Sequence, residues 1–563
     1  MKKDKIRVGM IVDAGPIPYL TYDLIEKSKN QDKYEIVALF VQHNNKVPKN
    51  IISKLFSYIS RRGFKKFIES LSFAIIKKIE KFFLIKFYGL GIIFSSKNIN
   101  SFNCKVVDVN PKISKSGIIY RFEEDDINKI KKMDLDVLVR CGGGILKGEI
   151  LNVCPKGILS FHHADNDINR GGPPGFWEVF YKQPSTGFII QKLNEELDGG
   201  NVIFKGSIRT YYFYLLNWAR ICIKANYFMH NQLMNLNDDN YVQRKYAKKP
   251  YFNELFTVPS LTNQIKYILQ TVSILFQKIW NKITLKKLIW GISYQFTNNW
   301  DGIVFRKSIK IKNTKNHFFA DPFISKYNNR NIIFFEDYDF KKSKAAISAI
   351  EVNSDKSYTK LGTVLEESFH LSYPYIFEYN DNLYMCPESH KNKDIRLYKC
   401  KKYPMKWELE NILIDDICAG DINIFHHNDK WWIFANVDSS DLNKYSEGDH
   451  DSELHIFFSD KLIDGEWKKH PKNPVVFDSG HARNAGKISN NDGSIYRVYQ
   501  KQGFNVYGEN FGISKIITLS PKDFKEEKLF EVEPNFYKNI LGTHHFSFED
   551  DLAVFDHVEI GRN

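Results

Sequence analysis

The stretch Gly157-Ile-Leu-Ser160-Phe-His162-His163 concentrates groups that can move a proton and hold an anion. A Pro/Gly-rich loop with Asn166, Arg170, Gly171, Pro174 and Trp177 follows it, and then come Thr186-Gly187 and Leu197-Asp198-Gly199-Gly200. Histidine titrates near neutrality, and a carboxylate beside it fixes its tautomer and stabilises its protonated form. A serine hydroxyl can donate to an oxyanion. Together these types suit acyl transfer to an amine. A histidine would serve as the base, a carboxylate would orient it and a hydroxyl would hold the oxyanion. A lone histidine is more often a packed side chain, and His163 carries that reading as well. A second set comprises Asp321, His370, Tyr373, Glu388, Asp421, Arg483, His544 and His545, spread over the last half of the chain. Paired acids from separate elements can cleave a glycosidic bond, whereas charged loop residues as often hold turns.

Elements must bring these residues together. Ile6–Asp13 and 35–42 read as buried strands around a helix at 19–28, a βαβ unit and hence a parallel sheet. Strand-like runs recur at 105–109 and 136–140, and a further buried strand at 157–160 would hold His162 at its carboxyl end, where open α/β sheets place ligands. Residues 46–97 interrupt the pattern as a basic helical insert, 210–235 read as one amphipathic helix, and 260–290 as a helical connector. After about residue 295 the texture changes to short aromatic strands with Asn/Asp turns. A unit of strand, turn and strand recurs from Asp321, Tyr373, Asp421, Asn484 and Thr543. Five such repeats predict a five-bladed β-propeller, with a two-sheet sandwich as the structural alternative. Of Trp431 and Trp432, alternation predicts one in the core and one free to stack on a sugar ring or fill an interface.

The chain has 563 residues, 43% of them hydrophobic and 15% aromatic, which excludes disorder as its main state. Seven cysteines never form CxxC, so buried thiols are expected rather than bridges, and no metal site is evident. The start lacks a secretory apolar run, and no run is long enough to span a membrane. Net charge is +14. Between Lys46 and Lys86 eleven basic residues face only Glu69 and Glu80, and between Ser260 and Gly291 five lysines face no acid. Both stretches are rich in Ile, Leu and Phe at helical spacing. Such helices either pack on their own domain with a solvated basic face or lie on an anionic membrane surface. No RNA-binding module accompanies the charge, so nucleic acid is not favoured.

The ordered first set resembles the formyltransferase family that uses 10-formyltetrahydrofolate. That family carries Asn-x-His, Arg-Gly-x-x-Pro-x-x-Trp, Thr-Gly and Asp-x-Gly, and His162, Arg170, Gly171, Pro174, Trp177, Thr186, Gly187, Asp198 and Gly200 fall in matching order. The resemblance covers roughly residues 5–210 without the insert. It implies catalytic His162, Asp198 and Ser160, a folate pocket at Cys141, Gly142, Gly144, Ile145, Leu146 and Gly200, and substrate contacts from His163, Asn166, Arg170 and Trp177. The family's catalytic Asn is Ser160 here, and losing an oxyanion donor costs about 3–4 kcal/mol of barrier. Either His163 or Asn166 compensates, or the donor differs, or the domain is slow or inactive. Residues from about 295 resemble the domain preceding the glycosyltransferase in plant glucosamine inositolphosphorylceramide transferases. That resemblance rests on His317-Phe-Phe-Ala-Asp321, His370-Leu-Ser-Tyr-Pro374, Glu453-Leu-His455 and Gly542-Thr-His544. The repeats also resemble five-bladed glycosidases, although His481-Ala-Arg483-Asn484 offers no carboxylate where a general acid is expected.

The expected architecture is therefore an α/β formyltransferase-like Rossmann-type domain over 1–210, a helical extension over 211–294 and an all-β five-bladed propeller over 295–563. The expected activity is formyl transfer from 10-formyltetrahydrofolate to an amino sugar, nucleotide- or lipid-linked, during surface-glycan assembly. The propeller pocket of Asp321, Tyr373, Glu388, Asp421, Arg483 and His544 would hold glycan. The expected location is cytoplasmic, peripheral on the inner membrane face. A propeller glycosidase, a methionyl-tRNA formyltransferase-like enzyme and a non-catalytic glycan-binding scaffold stand as alternatives.

Overall fold

The computed structural model describes residues 5–43, 59–60, 63–196, 200–238, 241, 244, 246–247, 249–440, 448–491 and 493–561. The chain divides into two compact units, residues 1–273 with 440–448 and residues 274–439 with 449–563.

The first unit is built on a seven-stranded sheet. Its elements in chain order are β1 (Ile6–Asp13), α1 (Tyr19–Lys29), β2 (Tyr34–Gln42), α2 (Phe64–Tyr88), β3 (Lys105–Val109), α3 (Glu124–Lys131), β4 (Val137–Arg140) and β5 (Ile158–His162). After these come α4 (Phe176–Phe180), β6 (Ser185–Lys192), β7 (Asn201–Arg209), α5 (Tyr214–Met234) and α6 (Leu261–Ile283). The strand order is β7-β6-β5-β4-β1-β2-β3. β3, β2, β1, β4 and β5 pair in parallel, and β6 runs against both neighbours. Parallel strands are covered on both faces, which is why Val8, Met10, Leu39, Phe40 and Leu138 form unbroken apolar runs with no exposure. The order reverses between β1 and β4, so the crevice at their carboxyl ends is the sheet's switch point.

Helix α2 lies within the insert read from 46 to 97, whose residues 46–58 and 61–62 fall outside the described set. It buries Glu69, Phe73, Ile76, Glu80 and Leu84 on one face. Glu80 Oε2 accepts the Leu215 amide at 2.8 Å in the first turn of α5, where a carboxylate offsets the positive helix end. The Tyr267 hydroxyl of α6 donates to Glu80 Oε1 and accepts the Tyr214 amide at 2.8 Å. Ser72 donates to Gln264 at 2.7 Å, so α2 and the amino-terminal half of α6 are stitched side by side. The stretch expected as a separate connector is thus shared. The first half of α6 belongs to the first unit, and a strand at Lys287–Phe296 already belongs to the second. No helix among the described residues is long and apolar enough to cross a membrane.

The second unit holds five antiparallel sheets in chain order. The first four begin with the hairpins 317–327/330–339, 372–379/382–388, 419–427/430–437 and 489–491/494–503. The fifth joins Phe546–Glu549 and Leu552–Gly561 to Lys287–Phe296, which pairs with 552–561 over its full length. Asn328-Asn329, Asn380-Asp381 and Asn428-Asp429 all have positive φ, between 48° and 57°. Two left-handed residues make the two-residue turn whose twist suits a hairpin, and Asn and Asp adopt that region most readily among side-chain-bearing residues.

Apolar layers fill the space between consecutive sheets. Phe334 and Ile347 meet Met385 and Tyr398 between the first and second sheets, and Ile395 and Tyr384 meet Trp431 and Ile433 between the second and third. Trp432 and Phe434 meet Ile495 and Ile516 between the third and fourth, and Val498 and Phe511 meet Phe546 and Phe555 between the fourth and fifth. The fifth returns to the first through Tyr294, Val554, Phe319 and Ile333. Apolar layers thus join each of the five sheets to the next and the fifth to the first. Both tryptophans of the 431–432 pair are buried in these layers, on opposite faces of one strand, so neither is free to stack on a ligand.

Candidate functional site

At the switch point of the first unit, the chain leaves β4 through Cys141-Gly142-Gly143-Gly144. Asp13, the last residue of β1, accepts the Gly143 amide at 3.0 Å and the Gln42 side-chain amide at 2.6 Å. A Cβ on Gly142 would lie 2.5 Å from Gln42 Nε2 and 3.2 Å from the Asp13 backbone nitrogen, so a side chain there would have to displace the Gln42 amide. Gly144 has φ +81°, and a Cβ there would sit 2.4 Å from the Tyr120 ring. Burial pushes the Cys141 thiol up to about 12, which leaves it protonated and poorly nucleophilic. Ile145 lies on a short strand against Ile119, and Leu146 is packed in the core.

Ser160 is buried in β5, with Arg140 Nη1 at 3.5 Å from its hydroxyl. His162 closes the strand, its Nε2 3.2 Å from the Asn169 carbonyl. His163 stacks on Phe161 at 5.4 Å, and burial, with His162 adding to it, holds its imidazole down to about 4. Arg170 Nε donates to the Asn166 carbonyl at 2.9 Å, and its guanidinium lies over the Tyr251 ring. Trp177 is buried and stacks on Phe256 at 5.0 Å. Asp198 lies outside the described residues, and Gly200 packs against Gln191. Ser160, His162 and His163 therefore gather along the end of one strand beside Arg140, while Trp177 and Leu146 are packing residues. Sequence reasoning missed the Lys205 ammonium, which bridges Asp165 at 2.7 Å and Asp167 at 2.8 Å beside this loop.

The richer cluster lies in the second unit. Asp321, Tyr373 and Asp421 have φ of 51°, 48° and 44°, each within a register shift of its sheet's first hairpin. The repeated bulge re-aims the residue at the same point of three successive sheets. Asp421 forms an ion pair with Arg483 Nε, and Arg483 Nη1 donates to Asp451 at 3.0 Å. Glu388 accepts the Asp421 amide at 3.0 Å through Oε2 and pairs with His390 at 2.6 Å through Oε1. His544 Nδ1 lies 2.6 Å from Asp556 Oδ2, and its Nε2 lies 3.5 Å from Asp321 Oδ1. The Trp290 ring stands 4.0 Å from the His544 ring, and Tyr507 lies under the Arg483 guanidinium at 5.1 Å.

Tyr373 is almost fully buried. Its hydroxyl donates to Asn423 Oδ1 at 3.0 Å and accepts the Gly486 amide at 2.8 Å, so it ties sheets together. The other five residues of the expected pocket form one charged network. Sequence reasoning missed Glu336, Asp451, Tyr507 and Asp556. A signal existed for one of them: the same fifteen-residue offset separates Asp321 from Glu336, Tyr373 from Glu388 and Asp421 from Asn436.

Burial pushes Glu336 well above the usual carboxylate range, and the surrounding Asp321, Glu388 and Asp421 push it further. Burial also acts on Glu388, but His390 and Arg483 outweigh it and hold that carboxyl well below its ordinary value. Asp321 is likewise held down against burial by His545 and His544. Burial lowers the His544 imidazole, yet Asp556 and Asp321 overcome that and raise it. For the tight Asp421–Arg483 pair, direct contact with the guanidinium favours the carboxylate form. The result is a buried, low-dielectric cluster of charge in which carboxylates outnumber cations. Asp321, His544 and Asp556 also present ligand atoms within 4.8 Å of one another, a set able to hold a divalent cation.

Residues 297–545 match the family model described as glucosamine inositolphosphorylceramide transferase 1, N-terminal. A glucosamine inositolphosphorylceramide transferase 1 from Oryza sativa subsp. japonica is 33% identical over 213 residues, 37% of this chain and 28% of that protein. The chain thus spans just over a quarter of the length of such curated relatives. A methionyl-tRNA formyltransferase from Buchnera aphidicola subsp. Schizaphis graminum is 24% identical over 171 residues, 29% of this chain and 52% of that protein. Among solved structures, the family 117 glycoside hydrolase Zg3597 of Zobellia galactanivorans aligns over 48% of this chain and 90% of its own, at 13% identity and a TM-score of 0.32. The second unit is therefore similar to the amino-terminal region of the inositolphosphorylceramide transferases. The chain also bears a weak, partial similarity to formyltransferases. These matches overturn the expectation that the enzyme is a formyltransferase, because the 33% relatives carry the name glucosamine inositolphosphorylceramide transferase. They leave only the weak partial match behind 10-formyltetrahydrofolate as co-substrate.

Proposed function

We propose that the protein acts in carbohydrate processing and that its second unit, a five-bladed propeller, binds a glycosyl group bearing a free amine at its charged cluster. The ligand class is a glucosamine-type sugar, lipid- or nucleotide-linked. The observation that carries this reading is the convergence of Asp321, Glu388, Asp421 and Arg483 from different sheets, two of them on repeated left-handed bulges. The cyclic packing of five sheets, closed by Lys287–Phe296 on 552–561, supports the propeller. Buried carboxylates accept hydrogen bonds from sugar hydroxyls and pair with an ammonium, and their excess over cations favours that charge. The name of the 33% relatives, which includes glucosamine, fits the same class.

Calorimetric titration of the full chain with glucosamine, N-acetylglucosamine and glucose tests it. Glucosamine should bind about tenfold or more tightly than the other two, the worth of one charge-assisted hydrogen bond. Asp321→Asn and Asp421→Asn should each remove that preference. Equal binding of the three sugars, unchanged by both substitutions, would falsify the assignment.

One observation favours a second reading, hydrolysis of a glycosidic bond. Burial raises the Glu336 carboxyl well above its ordinary value, while His390 and Arg483 outweigh burial and hold Glu388 well below its own, a contrast that suits a general acid and its partner carboxylate. Release of reducing sugar from a glycan, lost in Glu336→Gln and Glu388→Gln, is the expected result. No release from amino-sugar glycans would leave binding alone.

A further inference from the structure

Helix α2 is apolar on two faces and uses only one of them in packing. Its buried face is Glu69, Phe73, Ile76, Glu80 and Leu84. On the opposite side Phe64, Leu71, Ile75, Ile79 and Phe82 line up at helical spacing and are each 49–64% exposed. Lys65, Lys78 and Lys86 flank that stripe and are exposed, while both acids of the helix are turned inward. Beside it, the first half of α6 exposes Ile265, Leu269 and Val272 at 54–65%, and only Gln264 and Tyr267 of that helix are buried. The two helices are tied by Ser72–Gln264 and Tyr267–Glu80, so their outward stripes adjoin.

A water-facing patch of this kind marks an interaction surface. We infer that it is a membrane-docking face, and that its occupant is the surface of an anionic phospholipid bilayer. The apolar stripe would enter the boundary between headgroups and acyl chains, and the lysine rim would lie at the phosphates. Charge decides against a second copy of the chain. A symmetric pairing through this face would set each lysine rim against its own copy, and like charges opposed across an interface are unfavourable. No described helix can span the bilayer, so the helices lie on it. This inference stands apart from the carbohydrate reading and uses none of the same residues.

Co-sedimentation of the full chain with vesicles tests it, using phosphatidylcholine alone and phosphatidylcholine mixed with phosphatidylglycerol. The chain should pellet with the anionic vesicles. The double variant Ile75→Glu/Phe82→Glu should lower partitioning by at least about tenfold, since two large side chains no longer enter the boundary. Lys65→Gln/Lys78→Gln should lower it by about fivefold per charge on anionic vesicles only. All four positions are on the surface, and far-ultraviolet circular dichroism should be unchanged. Failure to pellet with anionic vesicles overturns the inference, as does pelleting that both double variants leave intact. A dimer in sedimentation equilibrium that Ile75→Glu/Phe82→Glu dissociates would also overturn it, in favour of a second copy.

Discussion

Buried side chains of the fourth sheet show how burial sets chemistry here. Arg497 is fully buried, and its Nη2 and Nε hold Glu526 at 2.6 and 2.8 Å. Burial raises that carboxyl, but Arg497 and His481 outweigh it and bring it down to about 2. His481 itself is brought down to about 4, because burial outweighs the attraction of Glu526. Both shifts act in one direction. The Glu526 contribution is present above the usual carboxylate range and is lost as pH falls towards about 2. The His481 contribution is present above about pH 6.5 and is lost as pH falls towards about 4, because the unfolded chain then binds a proton that the folded one refuses. The His481 part is worth up to ~3 kcal/mol. Calorimetry should find the unfolding midpoint of the second unit falling between about pH 6.5 and 4, and His481→Gln should flatten the decline. A midpoint that stays level over that interval would count against it. In the sequence Arg483 and Asp421 were visible as types at repeat starts. Asp451 and Asp556 were not, since each comes from a position with no repeat counterpart of its type.

At the scale of elements, the hairpins were legible because their signal is local. Asn-Asn and Asn-Asp pairs between alternating apolar runs favour a left-handed two-residue turn, as at 328–329, 380–381 and 428–429. The double use of α2 was not legible, because a helix apolar on two sides reads the same whether one face or both are covered. Its two acids illustrate the point. In sequence they are the only acids in a basic run, and in the fold they are the anchor. Burial raises Glu80 to about 7, against lowering contributions from Tyr267 and the α5 amides. A carboxyl raised in the folded state lends stability while protonated, and that stability is lost as pH climbs from about 4.5 to about 7. Glu80→Gln should therefore raise the melting midpoint of the first unit at about pH 8, by up to ~3 kcal/mol of stability, and leave it nearly unchanged at about pH 5. Circular dichroism melts at the two pH values check this, and an unchanged or lower midpoint for the variant at the higher pH would refute it.

At the scale of the whole molecule, the second unit depends on its ends. Strand 287–296 begins it and 552–561 finishes it, and the two pair along ten positions from Lys287–Gly561 to Phe296–Leu552. Val554 and Phe555 also complete the last two apolar layers. Deleting 552–561 would expose two layers at once and cost more than the ~5–15 kcal/mol that holds a domain folded. The truncated chain should lose the cooperative transition of the second unit and become sensitive there to limited proteolysis. Retention of a cooperative transition would mean the cycle does not need closing.

The sequence alone determined the parallel sheet, the five hairpins and the residue types that could line a site. These depend on periodicity, turn propensity and short-range order, all of which act within a few residues. Tertiary structure alone decided that Asp421 meets Arg483, that Glu336 and Glu388 have opposite tendencies, that both tryptophans are buried, and that one face of α2 stays uncovered. Each of these turns on which distant segments exclude water from which side chain, and burial is a property of the packed chain that no local window contains.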